Sequence, residues 1–271
     1  MKDEHLYHKP RKRFGQNFLH DANIIHKIAR AVAPKSDDHI IEIGPGMGAL
    51  TSSFSGECEK LDVIELDLDL IPILKQKFGT NPNFAIHQAD ALKFNFLELY
   101  QGKPLRIIGN LPYNISTPLL FHLFSFSDKI KDMHFMLQKE VVDRLAAQAN
   151  EKHYGRLGIM AQYHCQVSRL FTVPPQSFNP PPKVDSAIVR LEPLKGKQVI
   201  AKDPEFLAVV VRTAFNQRRK TLRNALKGLA DKDIIDNLEV DLSLRPENLS
   251  LKDYIYISDT LTSDKVKTSS E

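Results

Sequence analysis

Ile40-Ile41-Glu42-Ile43 runs directly into Gly44-Pro45-Gly46-Met47-Gly48, and this junction leaves few folds open. A short β-branched run that is apolar on both sides needs cover on both faces. Three glycines in five residues allow a tight turn and close approach of backbone to a ligand, with a helix start facing that ligand. The pattern then repeats. Leu61–Glu65 reads as a second strand and Leu68–Phe78 as a helix. Asn83–His87 and Arg106–Gly109 read as the third and fourth strands. Strands alternating with helices predict right-handed βαβ units and a parallel sheet covered on both faces, an α/β fold of the Rossmann-like kind. Ligands bind such sheets beyond the carboxyl ends of the strands. Gly44–Gly48, Glu65, Asp90 and Asn110 are therefore expected to line one rim.

The flanking segments fit this plan. Asp21 is an expected N-cap for a helix carrying Ile24, Ile25, Ile28, Ala29 and Val32, which ends near Pro34. Thr117-Pro118 reads as a helix start, with Thr as N-cap. Met133–Leu137 is a fifth strand, followed by helices over Lys139–Ala149 and 157–164. Cys165–Val173 and Val184–Leu191 are two more strands. Between them, Pro174 to Pro182 form a stiff loop that suits neither helix nor central strand. Composition shifts at Pro193-Leu194-Lys195-Gly196-Lys197, which reads as a linker. Helices are expected beyond it, from Asp203-Pro204 to Asn216 and near 218–229, 231–238 and 250–262. Residues 1–193 are thus expected to form a catalytic domain with a basic arm, and 194–271 a small all-α domain. No internal repeat is present.

Composition excludes several classes. The 271 residues are 42% hydrophobic, too apolar for a mainly disordered chain. Cys58 and Cys165 are isolated, so neither a disulfide framework nor a Cys-x-x-Cys metal site is available, and no metal is expected. No apolar run approaches the ~18 residues of a spanning helix. The start, Met1-Lys2-Asp3-Glu4-His5, lacks the apolar core of a secretory signal, so a reducing cytoplasm is expected. The net charge of +4 is unevenly spread. Residues 1–13 carry five Lys/Arg against two Asp/Glu, and residues 181–230 eleven against four. Such clustering suits a polyanion partner and equally suits a solvated surface.

The strand ends carry the chemistry. Gly44-x-Gly46-x-Gly48 followed by Ala49 also fits a dinucleotide loop, and alone does not separate NAD from S-adenosylmethionine. Glu65 can accept from the vicinal hydroxyls of a ribose, which both cofactors have. Asp90 can accept from an adenine amine. Asn110-Leu111-Pro112-Tyr113 is more specific. An exocyclic adenine amine is a poor nucleophile because its lone pair is delocalised into the ring. A site that methylates it must hold the amine by its hydrogens. The Asn110 side-chain oxygen and the Leu111 carbonyl can accept them, Pro112 stiffens the turn, and Tyr113 can stack on the base. An enzyme acting on a stacked base must also take it out of the stack. Phe178, between prolines, can stack on the other face of the base or anchor into the core.

These residues stand within longer runs. They include Arg11-Lys12-Arg13-Phe14-Gly15-Gln16-Asn17-Phe18-Leu19, Glu42-Ile43-Gly44-Pro45-Gly46 and Asn110-Leu111-Pro112-Tyr113-Asn114-Ile115-Ser116-Thr117-Pro118. Further runs are Met136-Leu137-Gln138-Lys139-Glu140-Val141, Pro180-Pro181-Pro182-Lys183-Val184-Asp185-Ser186 and Phe215-Asn216-Gln217-Arg218-Arg219-Lys220. With them the chain resembles, from about Arg11 to Leu261, the small-subunit ribosomal RNA adenine dimethyltransferases, the bacterial 16S enzymes linked to kasugamycin sensitivity. The resemblance implies a seven-stranded class I methyltransferase sheet with a small helical domain behind it. It implies S-adenosylmethionine as methyl donor, held by Asn17, Leu19, Gly44, Gly46, Glu65, Asp90 and Asn110. Asn17 and Leu19 follow from the resemblance alone. The implied substrate is two adjacent adenosines in the hairpin loop near the 3′ end of 16S rRNA, each dimethylated at N6. The implied partner is a small-subunit (30S) precursor, with a wider role in ribosome assembly. A monomer is expected.

Arg212, Arg219 and Arg223 fall on one stripe if the helix continues through Asn216. With Arg11, Lys12, Arg13, Arg218 and Lys220 they are the candidate RNA contacts, while Phe215, Leu222 and Leu226 face inward. Phosphate contacts of this kind position a substrate without reading its sequence. Three alternatives stay open at this point. One is the related 23S rRNA dimethyltransferase of macrolide resistance, and another an assembly factor whose methylation is incidental. The third, an NAD-dependent enzyme, is disfavoured by Asn110–Tyr113.

Overall fold

The computed structural model describes Arg11, residues 15–196 and residues 200–268, with side chains through Thr262. The chain divides into two compact units. The first comprises residues 1–142 and 166–193, the second residues 143–165 and 194–271.

The first unit is built on a seven-stranded sheet. Its strands are β2 (His39–Ile43), β3 (Lys60–Glu65), β4 (Phe84–Gln88), β5 (Leu105–Asn110), β6 (Ile130–Gln138), β7 (Cys165–Val173) and β9 (Ser186–Pro193), in the order β4-β3-β2-β5-β6-β9-β7. The pairs β3–β4, β2–β3, β2–β5 and β5–β6 are parallel, and β6–β9 is antiparallel. Every residue of β2 is buried, the polar His39 and Glu42 as well as the three isoleucines, as expected of a strand covered on both faces. Strand order reverses between β2 and β5, so the ends of these two strands open into a crevice.

Helix α1 (Ala22–Val32) starts as expected. The Asp21 carboxylate accepts from the amides of Asn23 and Ile24, and Ala33 closes the helix in the left-handed region at φ 47°. Helices α2 (Thr51–Phe54) and α3 (Ile71–Phe78) follow β2 and β3. Helix α4 (Ser116–Phe124) begins two residues before the expected start at Pro118. Ile115 holds the cap position without a side-chain hydrogen bond, so Thr117 lies inside the helix rather than capping it. The proline segment is not plain loop. Pro175–Ser177 form a 3-10 turn, and β8 (Phe178–Asn179) pairs antiparallel with β1 (Phe18–Leu19). This lone two-residue bridge leaves the prolines outside any central strand.

The second unit is helical, with α6 (Arg156–His164), α7 (Pro204–Asn216), α8 (Leu222–Ala225), α9 (Lys232–Asp236) and α10 (Leu251–Thr268). Helix α5 (Lys139–Ala146) leads into it from β6. Residues 143–165, expected in the first domain, belong to this unit together with residues 194–271. The reason is packing. Phe215 of α7 meets the rings of Tyr154 and Tyr254 at 6.3 and 6.1 Å, and the hydroxyls of these tyrosines reach the carbonyls of Leu249 and Pro246. A tyrosine buried in this way needs such a partner. The helix expected over 218–229 is reduced to α8. Gln217 leaves helical geometry at φ −119°, ψ 39°, and Leu222 and Arg223 donate instead to the Leu244 and Leu242 carbonyls.

Candidate active site

Gly44, Glu65, Asp90 and Asn110, each at or just past a strand end, line one cavity of about 340 Å³. That is the size range of small-molecule sites. Gly44, Gly46 and Gly48 all adopt positive φ. A Cβ on Gly46 would lie 3.1 Å from the Phe18 ring, and one on Gly48 only 2.5 Å from Phe78. A side chain at Gly46 or Gly48 would therefore crowd an aromatic ring as well as strain the backbone.

Glu65 is nearly buried at the end of β3. Its carboxylate accepts from the amides of Asp67 at 2.8 Å and Gly46 at 3.3 Å. Two backbone donors leave lone pairs for further hydroxyl donors. Burial raises its pKa against the pull of these amides. Glu42 also lines the cavity at 1% exposure and accepts from the Thr51 hydroxyl at 2.6 Å. Its pKa is pushed up to about 7, by burial first and then by the nearby charge of Glu65. The Asp90 carboxylate accepts from the Leu92 amide.

The Asn110 amide is oriented. Its Nδ2 donates to the Asn17 carbonyl at 3.0 Å, so its Oδ1 is the group left for a substrate. Leu111, Pro112 and Tyr113 line the same cavity. The Tyr113 hydroxyl lies 2.9 Å from the Ser186 hydroxyl, and burial raises its pKa. Asn17 and Leu19 are also in the wall. The arrangement places a carboxylate suited to a diol, a glycine cradle, an amide acceptor and an aromatic ring around one space. It suits the transfer of a small group from a nucleoside-bearing donor to a flat, hydrogen-bonding acceptor.

A family model described as ribosomal RNA adenine dimethylase matches residues 7–263. The chain belongs to the ribosomal RNA adenine dimethylase family. A ribosomal RNA small subunit methyltransferase A from Pseudomonas aeruginosa is 58% identical over 255 residues, spanning 94% of this chain and 95% of its own length. One of that name from Acinetobacter baylyi is 55% identical over 94% of this chain and 93% of its own. Among solved structures, a dimethyladenosine transferase from Plasmodium falciparum superposes with a TM-score of 0.77 at 29% identity, covering 89% of this chain and 95% of that one. The 23S rRNA methyltransferase ErmE shares the fold, with a TM-score of 0.70 at 22% identity over 91% of this chain and all of that one.

Some expected site residues of this dimethylase stand elsewhere. Phe178 is 3% exposed, packs in the core with Leu19, Ile28 and Val173, and does not line the cavity. Of the two candidate stacking rings only Tyr113 is at the site; the pairing of β8 with β1 turns Phe178 to a packing role. The arginine stripe is broken, because α7 ends at Asn216. Arg218 pairs with Glu247 at 2.5 Å and donates to the Lys152 carbonyl, and Arg223 pairs with Asp236. Arg212, Arg219 and Lys220 are exposed. Arg11 is engaged by Asp67 at 3.0 Å and by Asp69, so phosphate would compete with two carboxylates for it. Lys12 and Arg13 lie outside the described residues. Among the described residues no group of His, Cys, Asp or Glu is arranged to hold a metal ion, and no helix is long and apolar enough to cross a membrane.

Sequence reasoning missed Glu42, Ser186 and Asp67 as parts of this site. Glu42 and Ser186 stand in the quoted runs, but only the fold brings Ser186 to Tyr113 across 73 residues.

Proposed function

We propose that this dimethylase transfers methyl groups from S-adenosylmethionine to N6 of two adjacent adenosines in the 3′-terminal hairpin loop of 16S rRNA, two to each. The observation that supports the reading is the Asn110 amide, whose Nδ2 is taken by the Asn17 carbonyl and which lines one cavity together with Tyr113 and Glu65. The residues present fit the donor. Glu65 keeps lone pairs for a ribose diol, Asp90 can accept from the adenine amine, and the glycines of the Gly44–Gly48 loop let the backbone come close to the donor. Asn17, Leu19, Gly44, Gly46 and Asn110 complete the wall. The donor supplies a methyl group made electrophilic by a positively charged sulfur.

Everything else falls to the chain. Tyr113 stacks on the target base once it has left its RNA stack. In the first transfer Asn110 Oδ1 and the Leu111 carbonyl accept the two N6 hydrogens, which aims the nitrogen lone pair at the methyl carbon; in the second, the one hydrogen left on N6 binds one of the two acceptors. As the N–C bond forms, the C–S electrons remain on sulfur. The same two acceptors stabilise the positive charge developing on N6. The methylated ammonium is acidic enough to lose its proton to water, so no strong base is needed. Pro112 keeps the acceptors in register. Most of the acceleration is positioning and preorganised dipoles.

The RNA surface of the second unit is assigned to Arg212, Arg219 and Lys220, which are exposed, with Arg218 and Arg223 sharing their charge with carboxylates. A 30S precursor in the cytoplasm is the assigned partner, and assembly of the small subunit the wider role. The relatives' shared name, small subunit methyltransferase, supports the choice of subunit.

The test is methyl transfer from labelled S-adenosylmethionine to unmethylated small subunits, with large subunits and duplex DNA as controls. Mass spectrometry of the digested RNA should find N6,N6-dimethyladenosine from small subunits alone. Label on large-subunit RNA would move the function to the 23S enzymes. Donor binding without label on any particle would favour an assembly role for which methylation is incidental.

A further inference from the structure

An asparagine amide is nearly symmetric in shape. Rotated by half a turn, Asn110 would present its NH₂ to the cavity, a donor facing the donor hydrogens of an adenine amine. The Asn17 carbonyl, 3.0 Å from Nδ2, breaks that symmetry. Asn17 is itself held from both sides. On its carboxyl side, Phe18 and Leu19 pair with Asn179 and Phe178, and the His20 amide donates to the Ser177 carbonyl at 3.0 Å.

On its amino side, Gln16 Nε2 donates to Asp67 Oδ2 at 2.9 Å. The Arg11 guanidinium donates to Asp67 Oδ1 at 3.0 Å, and the Arg11 amide donates to the Gln16 side-chain oxygen at 2.8 Å. The Asp67 side chain is 1% exposed, and these donors, with the Asp69 amide at 3.3 Å, satisfy its carboxylate. Its own amide binds the Glu65 carboxylate. One buried aspartate thus ties the amino-terminal strap to the end of β3.

We propose that Asp67 and Gln16 are positioning residues for Asn110: they latch the strap so that the Asn17 carbonyl keeps the Asn110 oxygen turned into the cavity. The inference rests on the reading of Asn110 as the amine's acceptor. It adds that this acceptor is set by a latch outside the Asn-Leu-Pro-Tyr turn. Releasing the latch lets the amide sample the wrong orientation, and substrate saturation does not correct that.

The test uses the full chain with Gln16→Ala, Asp67→Ala, Asp67→Asn and Asn110→Ala. Without donor or RNA, NMR of the Asn110 side-chain amide should show slowed hydrogen exchange in the wild type. In Gln16→Ala and Asp67→Ala that exchange should speed up by about tenfold, the factor one hydrogen bond is worth. With saturating donor and RNA, kcat should fall about tenfold or more, since small misplacements near the reacting atoms are costly. Asp67→Asn keeps an acceptor for Gln16 and should recover part of the loss.

Unchanged amide exchange together with wild-type kcat in Gln16→Ala and Asp67→Ala overturns the latch. So does a loss confined to donor affinity and erased by saturation, which assigns the strap to donor binding alone. If Asp67→Ala does not fold, Gln16→Ala decides the matter, because it removes no buried charge. Asn110→Ala separates the two readings. Wild-type turnover in that variant overturns the acceptor role itself, whereas an inactive Asn110→Ala beside a fully active Gln16→Ala overturns only the latch.

Discussion

The Tyr113 hydroxyl and the Ser186 hydroxyl are hydrogen-bonded at 2.9 Å across 73 residues of sequence, joining the turn after β5 to the first residue of β9. Ser186 is itself buried and pairs in register with Gln138 of β6, so it is a fixed post. A ring held at its far end loses little further freedom when a base arrives. Ser186→Ala and Tyr113→Phe should each lower kcat/KM for RNA several-fold, and the double variant should lose no more than either alone. The coupling expected from such a cycle is about 1 kcal/mol. Additive losses would mean that the bond does not serve the ring. Tyr113→Ala should cost more, because stacking on a base is worth roughly 1–3 kcal/mol.

Asn110→Ala removes the acceptor and the link to Asn17 together. Methyl transfer should fall by about 10²-fold or more, the cost of losing one preorganised group at a developing charge. Donor binding, measured by calorimetry, should weaken by less than about tenfold, because the Glu65 and glycine-loop contacts remain.

Glu42 makes stability depend on pH. Its pKa is raised to about 7 in the folded chain, chiefly by burial, against an ordinary value of 4.5. At low pH both states hold the proton. Between about pH 4.5 and 7 the unfolded chain loses it while the folded chain retains it, so unfolding releases a proton and stability falls as pH rises. Above about pH 7 the penalty is complete, roughly 3 kcal/mol at most. Glu42→Gln keeps an acceptor for Thr51 and removes the charge. Urea titrations across this window should show a flatter pH profile for the variant and greater stability at pH 8. Identical profiles would remove Glu42 as the source.

The basic side chains of the second unit should not be equivalent. Arg212→Ala, Arg219→Ala and Lys220→Ala should weaken RNA binding at low salt, each lowering the salt slope by up to about 1. Arg223→Ala should change it less, since Asp236 already balances that charge. Salt titrations of RNA binding read this directly; an equal loss at Arg223 would mean that its pairing with Asp236 does not matter, and no loss at any of the four would place the RNA elsewhere.

The sheet strands and the cavity rim were legible before any coordinates, because strand and helix periods and glycine turns are local properties. Ile40–Ile43, the Gly44–Gly48 loop and the Asp21 cap stand where pattern puts them. The second unit was harder. Its helices α8 and α9 are short, and 218–229 reads as helix by pattern alone. Leu222 and Arg223 find backbone partners at Leu244 and Leu242, some twenty residues on, and that competition holds the start of the helix back to Leu222.

Sequence by itself determined that a parallel α/β sheet would gather Gly44, Glu65, Asp90 and Asn110 at one rim, because each sits at a strand end and strand ends are set locally. Which way Asn110 faces, what holds Tyr113, why Phe178 is buried and why Arg11, Arg218 and Arg223 are already paired were decided only by tertiary structure. Each depends on a partner between 13 and 93 residues away, or on packing against distant side chains. The energy of such a contact lies in distance and angle, and these exist only once the chain has folded.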